Sequence, residues 1–139
     1  MTSSPSTFST STSTLHLPSL WVVFGAGGDR DPMKRPLMGA ACAKLADRLV
    51  VTSDNPRSEE PMAIIDAIVN GVNEVKGNRE QGIGVVVEPD RKKAIEYALR
   101  NAKEGDVVVI AGKGHETTQE IKGVKYPFDD REMVRNFVI

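Results

Sequence analysis

From Trp21 onward the chain alternates short, wholly apolar runs with amphipathic stretches long enough to be helices. No other feature restricts the fold as much, because parallel strands are joined only by crossovers of this kind. Trp21-Val22-Val23-Phe24 reads as a buried strand that stops at Gly25-Ala26-Gly27-Gly28. Pro36 then opens a helix in which Leu37, Ala41 and Leu45 recur at a spacing of four, the expected apolar face. Leu49-Val50-Val51-Thr52 forms the next strand, ended by Asp54-Asn55-Pro56. Ser58 is the expected N-cap of a second helix, with Glu59 and Glu60 in its first turn and Ile64, Ile65, Ile68 and Val72 on its buried side.

Gly84-Val85-Val86-Val87 supplies a third strand, and Asp90 caps a helix that packs through Ala94, Ile95, Ala98, Leu99 and Ala102 and stops at Gly105. Val107-Val108-Val109-Ile110 is apolar throughout, as a central parallel strand covered on both faces would be. Afterwards Thr117–Ile121 and Val124–Pro127, turning at Lys122-Gly123, read as an edge hairpin. Asp129 and Glu132 have capping-box spacing for a last helix burying Val134, Phe137 and Val138. The expected fold is a Rossmann-like, three-layer α/β domain with a mainly parallel sheet and an antiparallel C-terminal hairpin.

Eighteen basic against nineteen acidic residues, without a long run of either sign, give no electrostatic support for a nucleic-acid or membrane-surface partner. No apolar run reaches the ~20 residues needed to cross a bilayer. The lone Cys42 cannot form an internal disulfide and suits a reducing compartment; it is read as a core residue. Residues 1–19 form a separate case. Eleven of the first fourteen residues are Ser or Thr, and no Asp, Glu, Lys or Arg precedes Asp29. Such a segment buries too little apolar surface to offset its ordering entropy, so a disordered leader is expected before a domain at 20–139. A plastid transit peptide can be Ser-rich and acid-poor, but it normally carries Arg; a leader without meaning is the plainer alternative.

In open α/β sheets ligands bind beyond the carboxyl ends of the strands. Three polar segments fall there. Gly25 to Asp31 combines glycines that permit close backbone approach with Asp29, able to accept from a ribose hydroxyl, and Arg30, able to clamp a carboxylate. A glycine-rich turn with solvated charges is the alternative reading. In Asp54-Asn55-Pro56-Arg57 the proline biases Asn55 towards an extended shape. This sets an acceptor, an amide and a guanidinium at fixed positions, as recognition of a zwitterionic amino acid requires; Asn-Pro is equally an ordinary turn signal. Gly112-Lys113-Gly114-His115-Glu116 offers small residues for backbone contact and, at Glu116, an acceptor for an ammonium group. His115 suits a general base or an orienting group bonded to backbone. The segment is not a P-loop, no three-glycine dinucleotide fingerprint exists, and one His without Cys or His partners makes no case for zinc.

Taken together and in this order, FGAGGDRD, KRPLMG, TSDNPRSEEP, AGKGHET and FDDRE resemble the last domain of the MurE-type ligases, the UDP-N-acetylmuramoyl-tripeptide synthetases of peptidoglycan assembly, over Trp21 to Ile139. The resemblance implies a cytoplasmic ligase, or a plastid relative, that forms an amide between UDP-N-acetylmuramoyl-L-alanyl-D-glutamate and a diamino acid through an acyl phosphate. Asp54, Asn55, Pro56 and Arg57 match the signature for meso-diaminopimelate, with Arg57 on its distal carboxylate. Arg30 would touch the same amino acid, Gly112 and Glu116 would take its far ammonium, and Asp29 matches an aspartate on the ATP ribose. No catalytic residue or metal ligand is assigned to this chain.

In the family, ATP and Mg2+ are held with the help of an amino-terminal uridine-nucleotide domain and a central ATPase domain, which would be this chain's partners. On its own the chain is expected neither to hold the nucleotide tightly nor to turn over. Family members also place another strand and helix before the FGAGGDRD strand, so an exposed sheet edge and an apolar helix face are expected here. A ligase-like interaction domain without catalysis and a piece of a split gene are the other readings. A folylpolyglutamate-type ligase shares the architecture but not DNPR with GKGHE.

Overall fold

A computed structural model of the chain describes residues 17–76 and 83–138. The expectation of a disordered leader concerns residues that lie, up to residue 16, outside these. In chain order the elements are β1 (Leu20–Phe24), α1 (Lys34–Leu45), β2 (Arg48–Val51), α2 (Pro61–Lys76), β3 (Gly84–Val87), α3 (Arg91–Asn101), β4 (Val107–Ile110), β5 (Thr118–Ile121), β6 (Val124–Pro127) and α4 (Asp130–Val138). The first four strands form one parallel sheet in the order β3-β2-β1-β4, and β5 pairs antiparallel with β6 as a separate hairpin. Strand order therefore reverses direction between β1 and β4. At such a switch point the loops leaving two neighbouring strands part and open a crevice.

Two layers of helix cover the sheet. On one face Val22, Phe24, Leu49 and Val51 pack with Ala43 of α1 and with Ile64, Ile65, Ile68 and Val72 of α2. On the other, Trp21, Val23 and Val50 meet Ala94, Ile95 and Ala98 of α3, with Met133 and Val134 of α4 beside them. The β-branched runs are strands because both of their faces are used, and α2 and α3 keep one apolar stripe each. Asp90 caps α3 as its position suggested, its carboxylate accepting from the Lys93 N–H at 3.1 Å.

Several expectations change. The helix α1 does not bury Leu37, Ala41 and Leu45: Leu37 and Leu45 are 69% and 74% exposed, and the buried side is Arg35, Gly39 and Ala43. Two stripes of spacing four compete on this helix. Close approach to α2 selects the smaller one, because a Cβ at Gly39 would run into the Ile68 carbonyl and one at Gly71 into the Pro36 carbonyl. Nor is Ser58 a cap. The second helix begins at Pro61, and the Ser58 hydroxyl donates to Asp29 instead. The helix α3 ends at Asn101, where Ala102 turns extended, before Gly105 is reached.

The strand β4 is an edge rather than a centre, with Val107 and Val109 56% and 42% exposed. They share a face with Leu20 and Val22, but the α1–α2 layer does not extend over them. In α4, Phe137 and Val138 are exposed and only Met133 and Val134 reach the core. Cys42 is half-buried against the core on the α1–α2 face, and burial pushes its thiol up from the ordinary range. Among the described residues no helix is long and apolar enough to cross a membrane.

Candidate functional site

The loops that leave β1, β2 and β4 meet at the switch point. A chain turning sharply out of β1 needs glycine where it passes another backbone, and a Cβ on Gly28 would run into the Pro56 carbonyl. The Gly28 N–H is free to donate to the Asn55 carbonyl at 2.7 Å, which sews the first loop to the second. Arg35 reinforces the seam from the first turn of α1. Its guanidinium grips Glu59 at both oxygens, at 3.0 and 2.7 Å, and also donates to the Gly27 carbonyl at 3.2 Å. The bond from Arg35, with the Asp29 N–H second, holds the Glu59 carboxyl down at about 2.

In the second loop Pro56 is fully buried and Asn55 nearly so. The Asn55 carbonyl oxygen of the side chain accepts from Lys113 Nζ at 3.2 Å and from the Glu120 N–H at 2.9 Å, while its Nδ2 donates to Glu116 Oε1 at 3.0 Å. Arg57 sits at φ 52°, a left-handed conformation that costs a non-glycine residue on the order of 1 kcal/mol and persists only where the surroundings impose it. They do so here through the hairpin, since the Arg57 N–H donates to the Glu120 carbonyl at 2.9 Å and its carbonyl accepts from Lys122 at 2.7 Å. The Arg57 side chain turns back towards the first loop, with Nη1 donating to the Gly28 carbonyl at 2.9 Å and Nε 3.6 Å from Glu120.

The third loop is fastened by two buried cations that the sequence reading passed over. Lys113, with no exposed side-chain surface, bonds Asp54 at 3.0 Å and the Thr118 carbonyl at 2.9 Å besides Asn55. Arg91 forks onto Asp130 with two bonds of 2.8 Å and reaches the Ser53 and Ala111 carbonyls at 3.0 and 3.1 Å. It thus ties the segments that run out of β2 and β4 to one point. Neither residue announces itself locally: one is the middle residue of a Gly-Lys-Gly turn and the other follows a helix cap.

The predicted site residues are placed as follows. Arg57 and Arg30 both border Gly27, for a Cβ built there would lie 2.9 Å from Arg57 Nη1 and 3.5 Å from Arg30 Cγ. Glu116 joins the same group of loops through Asn55. A cavity of about 300 Å³ lies beside them, lined by Gly25, Gly27, Arg30, Lys34, Asp54 and Gly112 among others; Arg57 and Glu116 are not in its lining. The three groups therefore gather at one loop cluster rather than line one hollow. Asp29 spends its carboxylate on the Ser58 hydroxyl. His115 is exposed, and among the described residues no hydrogen bond orients its ring. No three His, Cys, Asp or Glu side chains converge as an all-protein metal site would need, again among the described residues.

A family model described as "Mur ligase, glutamate ligase domain" matches residues 3–114. A UDP-N-acetylmuramoyl-L-alanyl-D-glutamate--2,6-diaminopimelate ligase of Aquifex aeolicus is 54% identical over 116 residues, which are 84% of this chain and 23% of that protein. Its counterpart in Ralstonia nicotianae is 53% identical, again over 84% of this chain, and 21% of its own length is covered. A solved structure of such a ligase superposes with a TM-score of 0.78 at 45% identity, covering 86% of this chain and 23% of that one. The chain thus spans between a fifth and a quarter of the proteins it matches.

Proposed function

The chain belongs to the Mur ligase, glutamate ligase domain family, and from that premise we propose that it is the amino-acid-holding C-terminal domain of a ligase that adds meso-diaminopimelate in peptidoglycan synthesis. The observation that carries this reading is the approach of Arg57, through Nη1, and of Arg30, through its Cγ, to the same glycine, Gly27, with Glu116 steadied by Asn55 in the same loop cluster. Meso-diaminopimelate has an amino and a carboxylate group at each end. The arrangement offers a cation for its distal carboxylate and an anion for its distal ammonium, while Asp54 and Gly112 border the adjacent cavity.

The two contacts are not equal in energy. The Arg57 side chain is 21% exposed and Glu116 is 51% exposed, so water screens the ammonium contact far more. Discrimination against lysine, which lacks the distal carboxylate, then rests on Arg57. A charge-assisted partner lost from a mostly desolvated site costs roughly 2–5 kcal/mol; partial exposure puts this site at the low end, about a thirtyfold difference in affinity. Part of Arg57 is already committed to Gly28 and Glu120, but Nη2 has no partner among the described residues and is the free donor for a ligand.

In the full-length enzyme, ATP would activate the glutamate carboxyl as an acyl phosphate. Holding the nucleotide and magnesium would fall to the other domains, and this chain would orient the incoming amine. The test is isothermal titration of the folded chain with meso-diaminopimelate and with lysine. Tighter binding of the former by about thirtyfold is expected; equal heats, or none for either, would count against the assignment. A parallel test of the ligase itself is to join the chain to the remaining domains of a full-length relative and measure ATP-dependent amide formation with each amino acid.

A further inference from the structure

Among the described residues Lys113 is the one buried lysine, its side chain wholly enclosed, and its surroundings go beyond packing. An ammonium has three protons and no acceptor. Here it finds three oxygens from two stretches of chain: Asp54 Oδ1 at 3.0 Å and Asn55 Oδ1 at 3.2 Å in one, and the Thr118 carbonyl at 2.9 Å in the other. Glu116 Oε1 stands further off, at 3.9 Å from Nζ. The donor capacity of Lys113 is filled without Glu116, which leaves that carboxylate to be held by something else.

It is held by Asn55, and only one of the two orientations of the Asn55 amide can do so. The carbonyl oxygen of that amide accepts from Lys113 and from the Glu120 N–H at 2.9 Å. Turning the amide over would press its NH2 against an ammonium and a backbone N–H, and would leave buried donors facing donors. The Nδ2 is consequently forced outward, where it meets Glu116 at 3.0 Å.

We propose that Lys113 is a positioning residue for the amino-acid site: it sets the orientation of the Asn55 amide, and through that amide it fixes the Glu116 carboxylate at the mouth of the loop cluster. The same ammonium holds Asp54, which borders the cavity. One buried charge thereby locks the second and third loops into a single receptor for a ligand ammonium. The inference rests on the reading of the site given above, but its structural half can be tested without ligand.

The experiment is nuclear magnetic resonance on the 15N-labelled chain. At neutral pH the Lys113 ammonium should give a visible, slowly exchanging signal, unlike surface lysines, and the Asn55 Nδ2 proton pair should be displaced from the bulk of side-chain amides. Glu116→Gln, a change at an exposed position, should move the Asn55 pair while the Lys113 signal remains. In Lys113→Met the Asn55 pair should return to the bulk position, and the dissociation constant for meso-diaminopimelate should rise roughly tenfold with the sheet spectrum retained.

An Asn55 pair unchanged in Lys113→Met overturns the inference. If that variant does not fold, the other arms decide. An Asn55 pair indifferent to Glu116→Gln, or a Lys113 ammonium that exchanges like a surface one, overturns it equally. Absence of any response of the wild-type chain to meso-diaminopimelate would overturn the substrate reading instead, and the ligand-free signals would still decide the role of Lys113.

Discussion

Consider the removal of Asp130. Arg91 has no exposed side-chain surface and Asp130 only 11%, so Asp130→Leu leaves a guanidinium enclosed with two carbonyls as its remaining partners. Breaking a buried pair from one side costs roughly 3–5 kcal/mol. The Ser53 and Ala111 carbonyls still satisfy part of the fork, so about 3 kcal/mol is expected here. Arg91→Met should cost about the same, for a different reason: it orphans those carbonyls at ~1 kcal/mol or more each and strands a carboxylate that has limited access to water. The double variant removes both charges and leaves only the orphaned carbonyls, about 2–3 kcal/mol. The three variants therefore form a strongly non-additive cycle, with a coupling of roughly 3 kcal/mol. Urea unfolding followed by far-ultraviolet circular dichroism measures it, provided the slope with denaturant is unchanged. A double variant as unstable as the two singles added together would refute the claim that one fork ties α3, α4 and the two strand ends into a unit.

Other expectations follow from the same structure. The Glu59 carboxyl is lowered to about 2 by Arg35, so its contribution to stability is fully present above the ordinary carboxylate range and is lost as pH falls through about 2. Wild type and Glu59→Gln should accordingly differ by a constant amount above pH ~5 and converge below it; a gap that does not narrow in acid denaturation would show that the pair is not the cause. On α1 and α2, Leu37→Ala should change stability by less than about 0.5 kcal/mol and Ile68→Ala should cost roughly 2–5 kcal/mol. The reverse ranking in thermal or urea melts would restore the Leu37 stripe as the buried one.

The strands were legible because each combines β-branched residues with a Gly or Asp stop, and both signals are local. The same holds for α2 and α3, whose apolar residues form one stripe without a rival. The helix α1 misleads, since Leu37-Ala41-Leu45 and Arg35-Gly39-Ala43 have identical spacing and the choice is made by the backbone of a different helix. The edge position of β4 is likewise not written in Val107-Val108-Val109-Ile110, because lateral neighbours are set by the crossovers. At the site, Arg57, Asn55 and Glu116 stood out through motif chemistry. Lys113 and Arg91 did not, for what makes them matter is a set of acceptors 59 and 39 residues away respectively, and no local pattern encodes burial of that kind.

The central claim is that Arg30, Arg57 and Glu116 serve one amino acid, with its distal carboxylate on Arg57 and its distal ammonium on Glu116. Its most direct measurement is the response of the arginine Nε–H signals and of the Glu116 backbone amide in the 15N-labelled chain as meso-diaminopimelate, and then lysine, is added. Meso-diaminopimelate is expected to move all three, and lysine to leave Arg57 where it was. Shifts confined to other surfaces, or an Arg57 response of equal size to lysine, would contradict the account.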